Sequence, residues 1–209
     1  MGTITASLFI SLDGVYQAPG GRDEDRENDF EYGGWQAPFF DDESGEAIGA
    51  DLDTLDALLL GRKTYDIFAS YWPNAGDGPI AAKFNAVPKF VVSRTLSDPS
   101  WAGTTVLPDA ASAGRLRDQF NQIQVIGSGA LVRSLLAEDV LDRLQLWLYP
   151  VTFGQGKRLF DAGTIPSSFT LVQPARSFEK GAVSLVYERA GEVETMDMPD
   201  EDVPLEPQG

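Results

Sequence analysis

Three short stretches of this sequence join glycine to hydroxyl or basic residues in a way that suits phosphate groups. Gly61-Arg62-Lys63-Thr64 follows the apolar run Leu58-Leu59-Leu60 and opens a stretch with helical spacing. Free N–H groups at a helix N-terminus attract anions, glycine lets a ligand approach the backbone, and the two bases add charge. Gly127-Ser128-Gly129 lies between Gln124–Ile126 and the periodic stretch Ala130–Ala137. A strand, a glycine turn and a helix in that order can cradle a pyrophosphate. Ser93-Arg94 comes directly after Phe90-Val91-Val92. A hydroxyl and a guanidinium there suit a phosphate monoester, which arginine grips with a fork of hydrogen bonds. Each stretch also has a plainer reading: a turn with solvated bases, tight helix-on-strand packing, or a surface arginine.

The elements around these stretches give the combination its meaning. Thr3–Ser11 alternates, with Ile4, Ala6, Leu8 and Ile10 on one face and Thr5, Ser7, Phe9 and Ser11 on the other, as a strand does. Leu58–Leu60, Phe90–Val92, Thr104–Leu107, Gln124–Ile126 and the alternating Leu144, Leu146 and Leu148 predict further strands. Lys63–Tyr71, Ala113–Asn121 and Ala130–Ala137 predict helices, and Asp51–Leu60 begins with leucines at helical spacing. Phe169–Val172 and Ala182–Arg189 predict a late antiparallel pair. Strands alternating with helices, then strands alone, imply an α/β fold with a mainly parallel sheet and an antiparallel end. All three glycine or basic stretches then fall at carboxyl ends of strands, where parallel sheets bind ligands. A pyrophosphate site and a monoester site together fit NADPH better than NADH, whose 2′-hydroxyl calls for a carboxylate. The full dinucleotide fingerprint is absent, since Val132 stands where it needs glycine or alanine.

Composition narrows the chemistry. The 209 residues contain no cysteine and no histidine, which removes disulfides, Cys/His zinc sites and His-dependent nucleophilic mechanisms. The net charge is -16, but its placement is uneven. Residues 22–46 hold ten acids against two bases, and residues 190–209 hold seven acids and no base. The rest of the chain is almost neutral. Such a surface repels nucleic-acid backbones. The longest early apolar run, Leu8–Ile10, is far too short to span a membrane, and the expectation is a cytoplasmic protein. Residues 22–46 read as a long loop able to serve as a lid. Residues 190–209, with three prolines and few large apolar residues, read as a mobile acidic tail behind a domain of residues 1–189.

The motif order resembles the dihydrofolate reductase-like superfamily. Ser11-Leu12-Asp13-Gly14, Leu60-Gly61-Arg62-Lys63-Thr64-Tyr65, Val92-Ser93-Arg94, Ile126-Gly127-Ser128-Gly129, Pro150-Val151 and Phe153-Gly154-Gln155-Gly156-Lys157-Arg158-Leu159-Phe160 are similar to the reductase domain of bifunctional riboflavin-biosynthesis deaminase-reductases. The resemblance covers about residues 3–189. It implies a three-layer fold, NADPH as hydride donor and a pteridine- or pyrimidine-like acceptor. It implies that Gly61, Arg62, Lys63 and Thr64 meet the adenosine-side phosphates, that Ser93 and Arg94 hold the 2′-phosphate, that Gly127, Ser128, Gly129, Ala130 and Leu131 line the pyrophosphate, and that the backbone near Phe9, Val15 and Tyr16 meets the nicotinamide carboxamide. It also implies a homodimer. One departure is plain: the Asp-Asn-Pro signature of the riboflavin-type reductases is missing, and Phe68 stands in its place.

Reduction of a C=N or C=O bond also needs a proton. Asp13, Asp42, Glu46 and Tyr16 are the candidate donors, and Trp35, Phe39, Phe40, Phe68 and Tyr149 the candidate wall against a flat heterocycle. The expectation is an NADPH-dependent reductase of a small heterocycle. A nucleotide-binding module without efficient turnover, a dihydrofolate reductase and a dimeric interaction protein are the alternatives.

Overall fold

The structure, a computed structural model, describes residues 1–198. β1 (Thr3–Ser11) buries Ile4, Ala6, Leu8 and Ile10, while Thr5, Ser7 and Phe9 on its other face stay partly exposed. The chain continues through α1 (Asp42–Asp53), β2 (Ala57–Gly61), α2 (Arg62–Tyr71), α3 (Pro79–Ala86), β3 (Lys89–Val92), β4 (Thr104–Leu107), β5 (Gln122–Ile126), α4 (Gly129–Ala137), β6 (Arg143–Tyr149), β7 (Ser168–Leu171), β8 (Arg176–Ser177) and β9 (Val183–Gly191). These strands form one nine-stranded sheet in the order β4-β3-β2-β5-β1-β6-β9-β7, with β8 paired to β9. The contacts from β4 across to β6 are parallel, and β9 is antiparallel to β6, β7 and β8.

The sheet is covered on both sides, which accounts for unbroken apolar strands such as Ala57–Leu60. Ala6, Leu8, Leu59 and Val125 pack against Leu131, Val132 and Leu135 of α4 on one face. Leu58, Leu60 and Val91 pack with Leu52, Leu55, Tyr65, Phe84 and Trp101 on the other. The result is the three-layer α/β arrangement, mostly parallel, that the sequence predicts. Among the described residues no helix is long and apolar enough to cross a membrane.

Several boundaries differ from expectation. The acidic stretch 22–46 is not one long loop, because α1 begins inside it at Asp42. Asp41 and Ser44 form a capping box there: the Ser44 amide donates to Asp41 Oδ1 at 2.7 Å and the Asp41 amide to Ser44 Oγ at 3.1 Å. Helix α3 had no counterpart in the sequence pattern; it starts at Pro79, whose fixed φ suits a first helical position. The helix expected over 113–121 is a 3-10 segment, Ala111–Asp118, with Gly114 in its middle. β9 runs to Gly191, past the expected domain end, and the Ser168 hydroxyl donates to the Glu192 carbonyl at 2.8 Å. The rest of the predicted mobile tail, from residue 199 on, lies outside the described residues.

Candidate functional site

The three phosphate-type turns leave the sheet side by side. β3, β2 and β5 are adjacent and parallel, and Gly61 is in register with Val92. Contacts join the turns directly. The Gly61 amide donates to Ser128 Oγ at 3.0 Å. A Cβ on Gly61 would stand 3.4 Å from the Leu131 Cβ, and one on Gly127 would stand 3.8 Å from Thr64. Arg62 pairs with Asp66 at 2.9 Å and lies 3.5 Å from Thr95 Oγ1, beside the third turn. There, Ser93 Oγ accepts from the Thr95 and Leu96 amides at 3.2 and 3.1 Å. Arg94 is exposed and makes no hydrogen bond or ion pair among the described residues. Lys63 turns instead to Glu27, at 2.5 Å.

Two of these turns start helices whose first amides lack a side-chain acceptor. Neither α2 nor α4 has a side-chain N-cap, in contrast to α1. Gly127 and Ser128 both have positive φ, 61° and 57°, a conformation that aims successive N–H groups to one side. Uncapped amides beside Arg62, Lys63 and an exposed Arg94 are the donor set that an anionic nucleotide needs. The residues present therefore fit a phosphate-bearing nicotinamide nucleotide.

The turn after β1 packs onto the same region. Asp13 accepts from Ser11 Oγ at 2.6 Å, from the Gly154 amide at 2.8 Å and from Arg158 at 3.3 Å. Burial opposes its charge, but the hydrogen bonds from Ser11, Gly154, Phe153 and Arg158 prevail and bring its pKa to about 2. Asp13 is thus an ionised turn anchor, contrary to the expectation of a proton donor. Val15 bridges to Arg158, and the Tyr16 amide donates to the Lys157 carbonyl at 3.0 Å. The Tyr16 ring lies against Gly129 so closely that any Cβ there would overlap it. Burial pushes the Tyr16 phenol up, against the pull of the Arg133 and Lys157 charges.

An aromatic group stands at the neighbouring ends of β1 and β6. Tyr149 pairs in register with Ser11, and its ring centroid lies 5.5 Å from Trp35, 6.0 Å from Phe9 and 6.1 Å from Phe39. Gln36 Nε2 donates to the Tyr149 hydroxyl at 2.8 Å, and burial pushes that phenol up to about 12. Trp35 and Tyr149 are thus brought together, but Phe68 is not. It stacks on Phe84 at 5.9 Å in the core between α2 and α3. It is half-buried against Trp72 and Phe84, away from the Trp35–Tyr149 group. Phe40 is exposed. Asp42 and Glu46, two of the candidate proton donors, are exposed on α1.

A different acid of α1 does face the sheet. Gln145 Nε2 on β6 donates to Asp51 Oδ2 at 2.7 Å, and Gln124 Nε2 on β5 donates to the Asp51 carbonyl at 2.9 Å. Gln145 is in register with Ser7 and Gln124 with Thr5. Asp51 therefore stands over the partly exposed face of the central strand. Burial raises its pKa above the ordinary carboxylate value, with the Gln145 hydrogen bond opposing. The sequence reading passed over Asp51. The signal for it was two glutamines inside otherwise apolar strands.

Comparison with known proteins fits this geometry. The RibD C-terminal domain model matches residues 2–183. The chain belongs to that family. The uncharacterized protein YyaP of Bacillus subtilis (strain 168) is 24% identical over 144 residues, covering 65% of this chain and 75% of its own. A putative riboflavin biosynthesis protein from Shewanella sp. PV-4 shares the fold with a TM-score of 0.63 and 21% identity, covering 90% of this chain and 98% of that one. A pyrimidine reductase-like protein from Corynebacterium diphtheriae does so with a TM-score of 0.59 and 12% identity, covering 91% and 93%. Family membership makes this chain reductase-like, with a small-molecule substrate.

Proposed function

We propose that the protein is an NADPH-dependent reductase of a small, flat, nitrogen-containing heterocycle of the pyrimidine or pteridine type. The observation that carries this reading is the order of features along one sheet edge. Glycine and basic turns end β3, β2 and β5, the partly exposed face of β1 comes next, and the Trp35–Tyr149 aromatic group ends β1 and β6. A cofactor half and an acceptor half are thus neighbours.

In this reading Arg94 and Ser93 hold a 2′-phosphate. The Gly61–Thr64 turn and the Gly127–Leu131 turn hold the linking phosphates, and the backbone near Phe9, Val15 and Tyr16 meets the nicotinamide. The bound nucleotide supplies hydride. The chain's own work is orientation, exclusion of water and custody of a proton. Trp35 and Tyr149 orient a planar acceptor. Asp51 is the proton-holding group that best suits the site, because it faces the central strand and its carboxyl is held toward the neutral form. Phe68 stands where the riboflavin-type signature would supply its substrate acid, so the acceptor is expected to differ from the phosphoribosyl-aminopyrimidine of that pathway.

Oxidation of NADPH in the presence of a panel of pyrimidines and pteridines tests the reading. Turnover with at least one acceptor, lost in Asp51→Asn while NADPH still binds, is the expected result. Tight NADPH binding with no turnover across the panel would favour a nucleotide-binding module.

A further inference from the structure

The acidic stretch that precedes α1 crosses the candidate phosphate region, and its contacts there are specific. Glu27 Oε1 accepts from Lys63 Nζ at 2.5 Å, and Glu27 Oε2 accepts from Lys157 Nζ at 2.6 Å. Lys63 lies in the first turn of α2. Lys157 sits on the segment that pairs with Val15 and Tyr16, and the Tyr16 ring covers Gly129 at the start of α4. One carboxylate thus bridges an ammonium group from the first turn of α2 and one from the segment paired with Tyr16.

The two acids of this stretch that meet Lys157, Asp25 and Glu27, are held differently. Asp25 is buried, accepts from Lys157 Nζ at 2.5 Å and from the Glu27 amide at 3.1 Å, and its carbonyl accepts from the buried Gln17 side chain at 3.2 Å. Glu27 has a half-exposed side chain whose carboxylate touches only the two lysines among the described residues. Asn28 and Asp29, which follow it, both have positive φ, 57° and 56°. Asparagine and aspartate take the left-handed region more readily than other non-glycine residues. Gln17 Nε2 also donates to the Glu27 carbonyl at 3.0 Å, so both backbones are held, and the exposed Glu27 carboxylate is the group that can let go.

We propose that Glu27 is a resident anion that occupies the space between Lys63 and Lys157 until a phosphate group of the nucleotide takes its place. This rests on the nucleotide-binding reading above. The linking diphosphate presents four non-bridging oxygens, enough to serve both ammonium groups and a helix amide at once, which one carboxylate cannot do. The exchange keeps both lysines paired throughout, with Asp25 retaining Lys157. It also gives Lys157 a role as a phosphate ligand alongside Lys63. The Glu27 carboxyl is held at about 2, chiefly by Lys157 and then by Lys63, so the resident group is an anion at any working pH.

Calorimetric titration of the wild type, Glu27→Gln and Lys157→Met with NADPH, and separately with inorganic pyrophosphate, tests the exchange. Melting temperatures show that each variant is folded. Glu27→Gln should bind both probes about three- to tenfold more tightly, the scale of two exposed ion pairs no longer in competition. Lys157→Met should bind both about tenfold more weakly. Equal or weaker binding by a folded Glu27→Gln, with the wild type binding NADPH, would overturn the exchange and leave the nucleotide reading standing. No binding of either probe by the wild type would remove the nucleotide reading itself.

Discussion

The side-chain amide of Gln145 on β6 donates a 2.7 Å hydrogen bond to the carboxylate of Asp51 on α1, across a separation of 94 residues. This bond fixes an acid over the central strand in a protein that has no histidine or cysteine for proton transfer. Replacing Asp51 by Asn should keep the bond to Gln145 and remove the titratable proton. Turnover should fall by about 100- to 10,000-fold with little change in NADPH affinity. In the wild type, the rate should decline as pH rises through the raised Asp51 pKa. Stability follows the same sign. The folded state binds this proton more tightly than the unfolded chain, so wild-type stability declines as pH rises from the ordinary carboxylate value through the raised one. Asp51→Asn should therefore melt no lower than wild type at neutral pH. A flat pH–rate profile with full activity in the variant would reject Asp51.

Asp13 carries the opposite expectation. Its pKa is depressed to about 2, so it contributes stability above the ordinary value of 3.8, and that contribution fades as pH falls through the range between them. Asp13→Asn should lower stability by about 1 to 2 kcal/mol at neutral pH, the scale of weakened charged hydrogen bonds to a partly exposed turn. Denaturant titrations at neutral pH and near pH 2 check this, since the gap should close in acid.

Tyr16 and Gly129 should behave as a coupled pair. Gly129→Ala forces the new methyl group into the Tyr16 ring and is expected to cost about 1 to 3 kcal/mol. Tyr16→Ala should remove most of that penalty. A double-mutant cycle in chemical denaturation measures the coupling, and additive effects would mean the ring does not occupy this position.

How far the sequence carried the reading differs from element to element. The alternation in Thr3–Ser11 and the apolar runs at Leu58–Leu60 and Gln124–Ile126 were legible because the pleat and burial on both faces write directly into residue type. The parallel order of β3, β2 and β5, on which the site depends, came from strand–helix alternation and not from any one residue. Helix α1 was hidden because its acidic first turns look like a solvated loop until the Asp41–Ser44 capping box is noticed. The packing of Phe68 on Phe84 was not legible, because an aromatic residue on a helix near a glycine turn suits a core as well as a binding wall. Asp51 was missed because its partners, Gln124 and Gln145, lie 73 and 94 positions away, and such pairings are set by tertiary register rather than local pattern.

The central claim is that one nucleotide with an extra ribose phosphate spans the three turns, with Arg94 at its monoester end. Titration of wild type and Arg94→Ala with NADPH and with NADH measures this most directly. The account predicts that Arg94→Ala binds NADPH about 10- to 100-fold more weakly, the loss of a charge-assisted hydrogen bond of about 1.5 to 3 kcal/mol, with NADH affinity unchanged. Equal losses for both nucleotides, or no binding of either by the wild type, would contradict it.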